Sequence, residues 1–361
     1  MITIEETTHQ PTQTLQQQTE AEYDATVRAD IEQFRSYAEK FVAGEITDDQ
    51  FRAQRLRRGI YSQRQAGVHM IRTKVPGGIL TAAQMDQLAL IADQFAGGKG
   101  HLTTRQNIQY HFIPLLDVPA LLHLLADVRL TTREACYNTV RNITACPLSG
   151  LLEDEVFDVH PYAQRVAFAF LHKELTDSLP RKFKIAFSGC KEDCMLGSIH
   201  DIGLRAVLRD GQRGFRMVVG GGLGPLPVEA QLLDEFVPVE RLVNKCEAVI
   251  RVFSKYGNRK NKNMARLKFV VRERGFAWVK EQIEKARKRI QLDREISAQR
   301  RLNFEMSVRN LMQSFEDRER VPKIQGLLNE CMTFLDDELS VITGPYEDLL
   351  SIDDVIDSKS S

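Results

Sequence analysis

The sequence predicts an α+β protein built from two successive modules, and two observations carry this prediction. Within residues 68–128, segments in which apolar and polar residues alternate are twice followed by segments with apolar residues at helical spacing. Strand, helix, strand and helix within about sixty residues favour a small sheet covered by helices on one face. A second mixture of strand-like and helix-like segments begins near Thr131 and continues to about residue 293. We therefore expect two α+β domains, at 59–130 and 131–293.

The composition argues against several broad classes of protein. The 361 residues include 49 Lys plus Arg and 49 Asp plus Glu, so no overall charge attracts nucleic acid or a membrane surface. No apolar run approaches the roughly 20 residues of a membrane span, and the N-terminus lacks the basic and apolar regions of an export signal. Six cysteines without such a signal are more typical of thiols or metal ligands than of disulfides. We expect a cytoplasmic protein with no nucleic-acid and no membrane partner.

The chain ahead of the first module falls into two parts. Residues 1–21 are rich in Thr and Gln and lack periodicity, which predicts a disordered N-terminus. Residues 22–58 have helical spacing and become strongly basic at their end, with Arg52, Arg55, Arg57 and Arg58. We interpret this helical lead-in as presenting a solvated basic face.

The first module carries a polar sheet face. VHMIRTKVPGG (68–78) reads as a strand closed by a Pro-Gly-Gly turn, and Thr81 can cap a helix over 81–97. In the strand LTTRQNIQYHFIPL (102–115), Ile108, Tyr110 and Phe112 are expected to face the core. The opposite face would then hold Arg72, Lys74, Arg105, Asn107, Gln109 and His111. A solvated sheet face usually mixes in Asp or Glu, and these strands contain neither, so we expect this face to bind a ligand.

The second module gathers cations and thiols. TVRNITACPLSG (139–150), with Arg141, Asn142 and Cys146, is followed by an acidic turn and a helix at 161–175. RKFKIAF (181–187) alternates as a strand, which places Lys182 and Lys184 on one face, where they repel each other unless water or an anion lies between them. In SGCKEDC (188–194), Cys190 and Cys194 are four residues apart, so on one helical turn both sulfurs would reach a single metal centre. An anion site and a metal site are therefore expected to be neighbours.

Three other features belong to this module. The glycine-rich run GFRMVVGGGLG (214–224) has backbone amides that could approach an anionic cofactor closely, which makes Gly221 and Gly222 candidates for cofactor binding. His200 and Asp201 could form a proton relay or a structural hydrogen-bonded pair, and the residues leave both open. Helices are expected at 239–256 and 275–293, with a strand at 265–271 between them.

Seven motifs resemble, in this order, the sirohaem-dependent sulfite and nitrite reductases: MIRTKVPGG, TTRQNIQYH, VRNITACP, LPRKFKIAF, SGCKEDC, HDIGLRAV and GGGLG. The resemblance runs from about Arg57 to Ile290. It implies a ferredoxin-like half domain at 59–130 and a sirohaem and [4Fe–4S] domain at 131–293, which together are the amino-terminal one of two fused repeats. It also implies six-electron reduction of sulfite or nitrite, with ferredoxin or another protein as electron donor.

The resemblance implies residue roles as well. Arg72, Arg141, Lys182 and Lys184 match the cations that hold sulfite or nitrite over the sirohaem iron. Arg105, Gln109 and His111 match positions that contact the carboxylates of sirohaem, and the further candidates for cofactor binding are Lys74, Asn107, Asn142, Gly221 and Gly222. Cys146, Cys190 and Cys194 are the implied cluster ligands, with Cys194 bridging cluster and haem iron.

The sequence departs from the family pattern at two points. Leu152 stands where the Cys-x5-Cys spacing from Cys146 requires a second cysteine, so a cluster held by four cysteines lacks one ligand. After residue 290 the chain does not begin a second repeat; helical segments (302–319 and 322–340) and an acidic end form a C-terminal extension at 294–361. Because the two-repeat enzymes take substrate cations and cluster from different units, we expect a second reductase half or a homodimer. The alternative is a non-catalytic, degenerate half-subunit that binds haem or a partner reductase chain.

Overall fold

The computed structural model describes residues 12–224 and 226–313, except for the side chains of 12–23, 301, 304, 305 and 307–313. Within these residues the chain forms two compact units. The first unit consists of residues 12–75 and 79–136, and the second of residues 76–78 and 137–313. Among the described helices, none is both long and apolar enough to cross a membrane.

The first unit is an antiparallel sheet covered by helices, as the alternating patterns predicted. Its sheet has the order β1-β2-β4-β3. Residues on alternate sheet positions, such as Ile71 and Tyr110, join Phe34, Ile91 and Leu121 from the helices in one apolar core. The elements are α1 (Thr12–Val42), α2 (Asp48–Arg57), β1 (Ile60–Ser62), β2 (Val68–Arg72), α3 (Ala82–Phe95), β3 (His101–Leu102), β4 (Ile108–Pro114) and α4 (Val118–Asp127).

Several local predictions for this unit can be compared with the structure. Thr81 caps α3 as predicted, since its side chain accepts a hydrogen bond from the Gln84 backbone nitrogen. The prediction of disorder over 1–21 is wrong for residues 12–21, which belong to α1, and residues 1–11 lie outside the described residues. Phe112 was also wrongly assigned to the core: it is 58% exposed with φ +64°, and Ile113 is buried instead. The reason is a bulge opposite His69–Ile71 in β2, which shifts the alternation by one residue.

The second unit is a five-stranded mixed sheet of order β5-β6-β7-β8-β9. The pairs β5–β6 and β6–β7 are parallel, and β7–β8 and β8–β9 are antiparallel. Phe157, Tyr162, Phe187 and Phe215 form an edge-to-face aromatic cluster in its core. The elements are β5 (Thr144–Ala145), α5 (His160–Ala169), α6 (Glu174–Asp177), β6 (Ile185–Ser188), β7 (Ile202–Arg209), β8 (Gln212–Val219), β9 (Gln231–Pro238), α7 (Leu242–Tyr256), α8 (Leu267–Arg274) and α9 (Phe276–Gln313).

Two predictions for this unit are wrong. Residues 265–271 were predicted as a strand, but Leu267, Val270 and Val271 are buried at helical spacing on α8. Cys190 and Cys194 lie in the loop after β6 and not on one helical turn. The predicted boundary at residue 293 falls inside α9, and the helix predicted at 322–340 and the acidic end lie outside the described residues.

Candidate functional site

The first unit holds its polar face on β2 and β4. Arg72 and Gln109 are register partners in the antiparallel pair. When the Gln109 amide is oriented with its oxygen towards Arg72, that oxygen accepts from Arg72 Nε at 2.7 Å and also from Nη2. The Arg72 guanidinium carbon lies 5.8 Å from the centroid of the Tyr61 ring, so ring and amide together orient this cation.

Two side chains of this face have polar atoms without a hydrogen-bond partner among the described residues. They are Asn107 Oδ1 and His111 Nε2, and Asn107 is only 3% exposed. Burial, then His101 and Arg72, lower the pKa of His111, whose ring stacks on His101 with centroids 5.7 Å apart. Buried polar atoms of this kind usually have a partner. His111 Nε2, in the tautomer that carries the proton there, can donate to a carboxylate such as those of sirohaem, whereas Asn107 Oδ1 is an acceptor and fits a ligand group that donates.

Lys74 and Arg105 differ from the sequence interpretation. Lys74 Nζ donates to Glu134 Oε2 at 2.9 Å, and both side chains are almost fully buried. The sequence analysis missed Glu134 because this residue lies outside the strands. The buried ion pair gives Lys74 a structural role, and its contact with a cofactor stays a prediction. Arg105 does not extend the alternation of β4; it lies in the turn before that strand, where its backbone nitrogen donates to Thr103 Oγ1.

The second unit places Arg141 beside Phe183, within the segment 182–184 that carries Lys182 and Lys184 and leads into β6, here called the lysine strand. The Arg141 backbone nitrogen donates to the Phe183 carbonyl at 2.9 Å, which aligns residues 140–145 in parallel with 183–187. Phe183, Ile185 and Phe187 are fully buried, and Lys182 and Lys184 are half-buried on the other face, as the alternation predicted. Burial, then the cations Arg141, Arg181 and Arg266, lower the pKa of Lys182. Asn142, the neighbouring candidate, is fully buried.

Asp201 is the buried carboxylate of this cation cluster, and its partner is Arg266. Arg266 Nε and Nη2 donate to the two Asp201 oxygens at 3.1 and 2.8 Å. His200 does not pair with Asp201; its Nδ1 lies 2.8 Å from the Leu196 carbonyl oxygen. Asp201 is therefore paired with Arg266 instead of His200, and a proton relay through His200 stays a prediction. The sequence analysis missed Arg266, although its alternation with Lys268 in the supposed strand placed two cations on one side.

In the loop of Gly220, Gly221 and Gly222 after β8, here called the glycine loop, the backbone amides have different partners from those predicted. The amides of Gly220, Gly221 and Gly222 donate to the carbonyls of Asp201, His200 and Val228. The prediction that the Gly221 and Gly222 amides bind an anionic cofactor is wrong in this respect, because protein carbonyls already occupy them. Gly221 is required by close packing instead, since a Cβ there would lie 2.2 Å from the Ser198 carbonyl oxygen. Lys268, another residue that the sequence analysis missed, donates to the carbonyls of Gly222, Leu223 and Leu226.

The three predicted thiol ligands lie together. Cys146 and Cys190 are buried, and Cys190 Sγ lies 3.1 Å from the Glu192 carbonyl oxygen. Cys194 is an exposed residue, but partial burial of its thiol, then hydrogen bonds with Cys146 and Cys190, raise the pKa of that thiol to about 12. None of the five cysteines within the described residues forms a disulfide. Among those residues no three His, Cys, Asp or Glu side chains are grouped so that they could hold one metal ion, and the ligation of a cluster by Cys146, Cys190 and Cys194 stays a prediction.

The loop after Cys146 contains Leu152 and two acidic residues that the sequence analysis did not single out. Leu152 is half-buried and supplies only its carbonyl oxygen, which accepts from the Glu155 nitrogen at 3.3 Å. The Glu155 carboxylate accepts from Ser149 Oγ and from the Gly150 nitrogen. Asp158 Oδ1 lies 3.0 Å from His160 Nδ1, and His160 Nε2 has no hydrogen-bond partner among the described residues. Burial alone would raise the pKa of Asp158, but His160, with a hydrogen bond from Ser149, lowers it to about 2.

The polar face suits the carboxylates of sirohaem, whereas the thiols supply only part of the ligand set of a [4Fe–4S] cluster. The polar face of the first unit offers the Arg72 cation and His111 Nε2, which can donate, to carboxylates. Thiolates are the usual ligands of iron–sulfur clusters, and the gathered thiols supply three of the four that a [4Fe–4S] cluster usually takes. Leu152 supplies no fourth thiolate.

Comparison with known proteins agrees with this chemistry. The family model of the nitrite/sulfite reductase ferredoxin-like half domain matches residues 61–128, and that of the nitrite and sulphite reductase 4Fe-4S domain matches residues 136–290. The chain is 34% identical over 244 residues to an assimilatory ferredoxin-dependent nitrite reductase of Haloferax mediterranei, covering 63% of this chain and 42% of that protein. It is 30% identical over 266 residues to a ferredoxin–nitrite reductase of Leptolyngbya laminosa, covering 72% of this chain and 51% of the relative.

A solved structure shows the same relationship. The NirA protein of Mycobacterium tuberculosis superposes with a TM-score of 0.63 at 31% identity, over 68% of this chain and 48% of NirA. The chain spans about half the length of the curated relatives that it matches. Both domain models, the relatives and the shared fold lead to one conclusion: the chain belongs to the nitrite and sulfite reductase family.

Proposed function

We propose that this chain is a reductase unit for a small oxyanion, sulfite or nitrite, with sirohaem and a [4Fe–4S] cluster as cofactors. The observation that carries the proposal is the cation cluster of the second unit, in which Arg141, Arg181 and Arg266 act on the half-buried Lys182, and Lys184 follows two residues later. Cations held close together repel one another, and an anion bound by Arg141, Lys182 and Lys184 would relieve that repulsion. Arg72, fixed by Gln109 in the first unit, is the fourth cation proposed to bind substrate.

The chain's own residues have two tasks in such a reaction. Arg141 and the lysines bind and orient the oxyanion and stabilise the negative charge that develops on its oxygens. Lys182 Nζ is suited to give up a proton when an oxygen leaves as water, because burial and neighbouring cations lower its pKa. The sirohaem and the cluster supply the electron-transfer chemistry when they are bound.

The proposed partners follow from the relatives. Several relatives are named for ferredoxin, which supports ferredoxin or a similar protein as the electron donor. We propose that a second reductase half, from a partner chain or a second copy, completes the site, since the relatives are about twice as long. Relatives named for nitrite and for sulfite match about equally well, so the proposal keeps both substrates. We also propose a cytoplasmic location, which the five free thiols support.

Anion titration tests this function. Lys182→Ala and Lys184→Ala should each weaken the binding of sulfite or nitrite by roughly 1.5–3 kcal/mol, the scale of a charge-assisted hydrogen bond. Folding should be unchanged or slightly improved, because repulsion is relieved. Lys280→Ala, on the exposed side of α9, removes the same charge and should have no effect. Unchanged affinity in both strand variants would remove these lysines from the substrate site.

A second candidate function is a non-catalytic half-subunit that binds haem or a partner reductase chain. Leu152 favours it, because a leucine offers the cluster no donor atom. The absorption spectrum of the purified chain separates the candidates, since sirohaem and an iron–sulfur cluster have distinct bands. Sirohaem bands without a cluster, together with no turnover in the presence of donor, would favour the non-catalytic function.

A further inference from the structure

Asp201 connects three segments that the sequence keeps far apart. Its carboxylate accepts hydrogen bonds from the Lys184 backbone nitrogen at 2.8 Å and from Nε and Nη2 of Arg266. Its carbonyl oxygen accepts from the Gly220 nitrogen at 3.0 Å. The lysine strand, the glycine loop and the residue that precedes α8 are therefore all attached to one fully buried residue.

We propose that Arg266 and Asp201 form a clamp that positions Lys182 and Lys184 for the oxyanion, with Arg266 as an additional cation of that site. The proposal rests on the function proposed above and assigns it a positioning pair. Arg266 precedes the first residue of α8, and its Nη2 lies 3.2 Å from the position of a Cβ on Gly222. The planar guanidinium presents two donors in a fork that matches the two Asp201 oxygens, so lysine is not an equivalent.

The charge balance supports this role. The charged groups that act on Lys182 are Arg141, Arg181, Arg266 and the single carboxylate of Asp201. Arg266 holds that carboxylate in a two-point ion pair, and the side chain of Asp201 is fully buried. A buried carboxylate without its arginine would be an uncompensated charge. Among these groups the positive charges outnumber the single negative one, so the site stays positive while the pair fixes the strand.

The clamp predicts two separate effects of Arg266 on Lys182 and Lys184. The first is geometric: without the two-point pair, Asp201 no longer holds the Lys184 amide in one position. The second is electrostatic: Arg266 is one of the cations that lower the pKa of Lys182. Its removal therefore raises that pKa, so Lys182 stays charged to higher pH. Anion binding becomes weaker at neutral pH but persists further into the alkaline range.

The experiment compares Arg266→Met, Arg266→Lys and Asp201→Asn in the full chain, with Arg272→Met on the exposed side of α8 as the control. Nitrite titrations between pH 7 and 10.5 give the affinity and its alkaline midpoint, which is the pH at which half of the anion binding is lost. Amide hydrogen exchange measures how firmly the backbone amides of Lys184 and Gly220 are held. We expect Arg266→Met to bind nitrite roughly tenfold more weakly at pH 7, with its midpoint moved to higher pH. Arg266→Lys keeps the charge, so its midpoint should stay near that of the wild type while Lys184 exchanges faster.

The outcomes separate the clamp from the proposed function. Wild-type affinity, midpoint and exchange in Arg266→Met would overturn the clamp. If Arg266→Met only destabilises the fold, nitrite binding becomes weaker, but the alkaline midpoint of the protein that still binds does not move to higher pH. That result would also overturn the clamp. If the wild type binds neither nitrite nor sulfite, the proposed function fails, and the exchange of Lys184 in Asp201→Asn still decides whether the clamp holds the strand.

Discussion

At the scale of single residues, two cations of the candidate site pair with buried carboxylates that are distant in sequence. Lys74 meets Glu134, 60 residues further on, and Asp201 meets Arg266, 65 residues further on. These buried carboxylates orient cations, and sequence alternation alone does not reveal them. The Asp158–His160 pair is local by contrast, and its effect on stability can be predicted with its sign.

Asp158 should make stability depend on pH in the acid range. Its pKa falls from 3.8 to about 2 on folding, so its contribution is present above pH 4 and is lost as the pH falls from about 4 to 2. The shift corresponds to about 2 kcal/mol at neutral pH. Urea unfolding of wild type and Asp158→Asn should show a stability difference that shrinks between pH 6 and pH 3. A difference that stays constant over this range would contradict the assigned shift.

Leu152→Cys should change the iron content of the protein. Leu152 lies in the loop after Cys146 and brings no donor atom to the three gathered thiols, so wild-type protein should carry a substoichiometric, oxygen-sensitive or absent cluster. A cysteine at this position restores the Cys-x5-Cys spacing and should raise iron and acid-labile sulfide towards a full cluster in anaerobic preparations. Leu151→Cys is the control, because Leu151 is the neighbouring residue and is 78% exposed.

A full and stable cluster in wild type would mean that another residue supplies the fourth ligand. The degenerate half-subunit would then lose its main support. No gain in Leu152→Cys would show that the loop departs from the family geometry by more than one residue.

At the scale of elements, the bulge in β4 and the start of α8 determine where several side chains of the candidate site lie. The bulge in β4 turns Phe112 outward and leaves His111 beside His101. The start of α8 supplies Arg266 to Asp201, and two residues later Lys268 reaches into the glycine loop. Lys268 is 2% exposed, and burial, then Arg266, lower its pKa. Its hydrogen bonds to carbonyls join this helix to residues 222–226.

Lys268→Met should loosen the glycine loop without unfolding the unit. The methionine keeps most of the length and the apolar stem of the side chain, but three carbonyls lose their common donor. Amide exchange at Gly222 and Val228, which pair with each other, should become faster, while exchange within β7 and β8 stays slow. Lys262→Met, at an exposed position just before α8, should leave exchange unchanged. Unchanged exchange at Gly222 in Lys268→Met would show that this lysine does not hold the loop.

At the scale of the whole molecule, the chain divides its cations between two units with separate cores. Arg72 lies in the first unit, and Arg141, Lys182 and Lys184 lie in the second. The two family models match one unit each, except that the first model includes residues 76–78 of the second unit and the second model begins at Cys136 of the first unit. The polar face belongs to the first unit and the thiols to the second, so a cofactor-binding test that involves the full chain is the appropriate measurement.

The full chain should take up sirohaem in a stoichiometric complex. The polar face supports this, because it combines the Arg72 cation with His111 Nε2, which has no hydrogen-bond partner among the described residues and can donate to a carboxylate. Arg105→Ala should weaken the complex, whereas Arg52→Ala, an equal charge change at an exposed position on α2, should not. A Lys74→Met/Glu134→Leu double variant tests Lys74 without leaving a buried charge unpaired. Absorption spectra after anaerobic reconstitution measure uptake, and no uptake by the wild type would contradict cofactor binding.

The sequence by itself determined the α+β class, most elements and the identity of the principal candidates. Alternation placed Lys182 and Lys184 opposite the buried Phe183, Ile185 and Phe187, because side chains on a strand point to opposite faces whatever surrounds it. Thr81 could also be recognised from the sequence as the capping residue of α3, because the cap involves two residues only three positions apart. The ordered motifs were sufficient to identify the family.

Only the tertiary structure decided which polar groups meet. It joined Asp201 to Arg266 and Lys74 to Glu134, gathered Cys194 with Cys146, and used the amides of the glycine loop for internal hydrogen bonds. It also made a helix of residues 267–274, whose short apolar run is compatible with either secondary structure. The physical reason is common to these cases: backbone periodicity is local, whereas the partner of a buried charge is set by chain segments that only packing brings together.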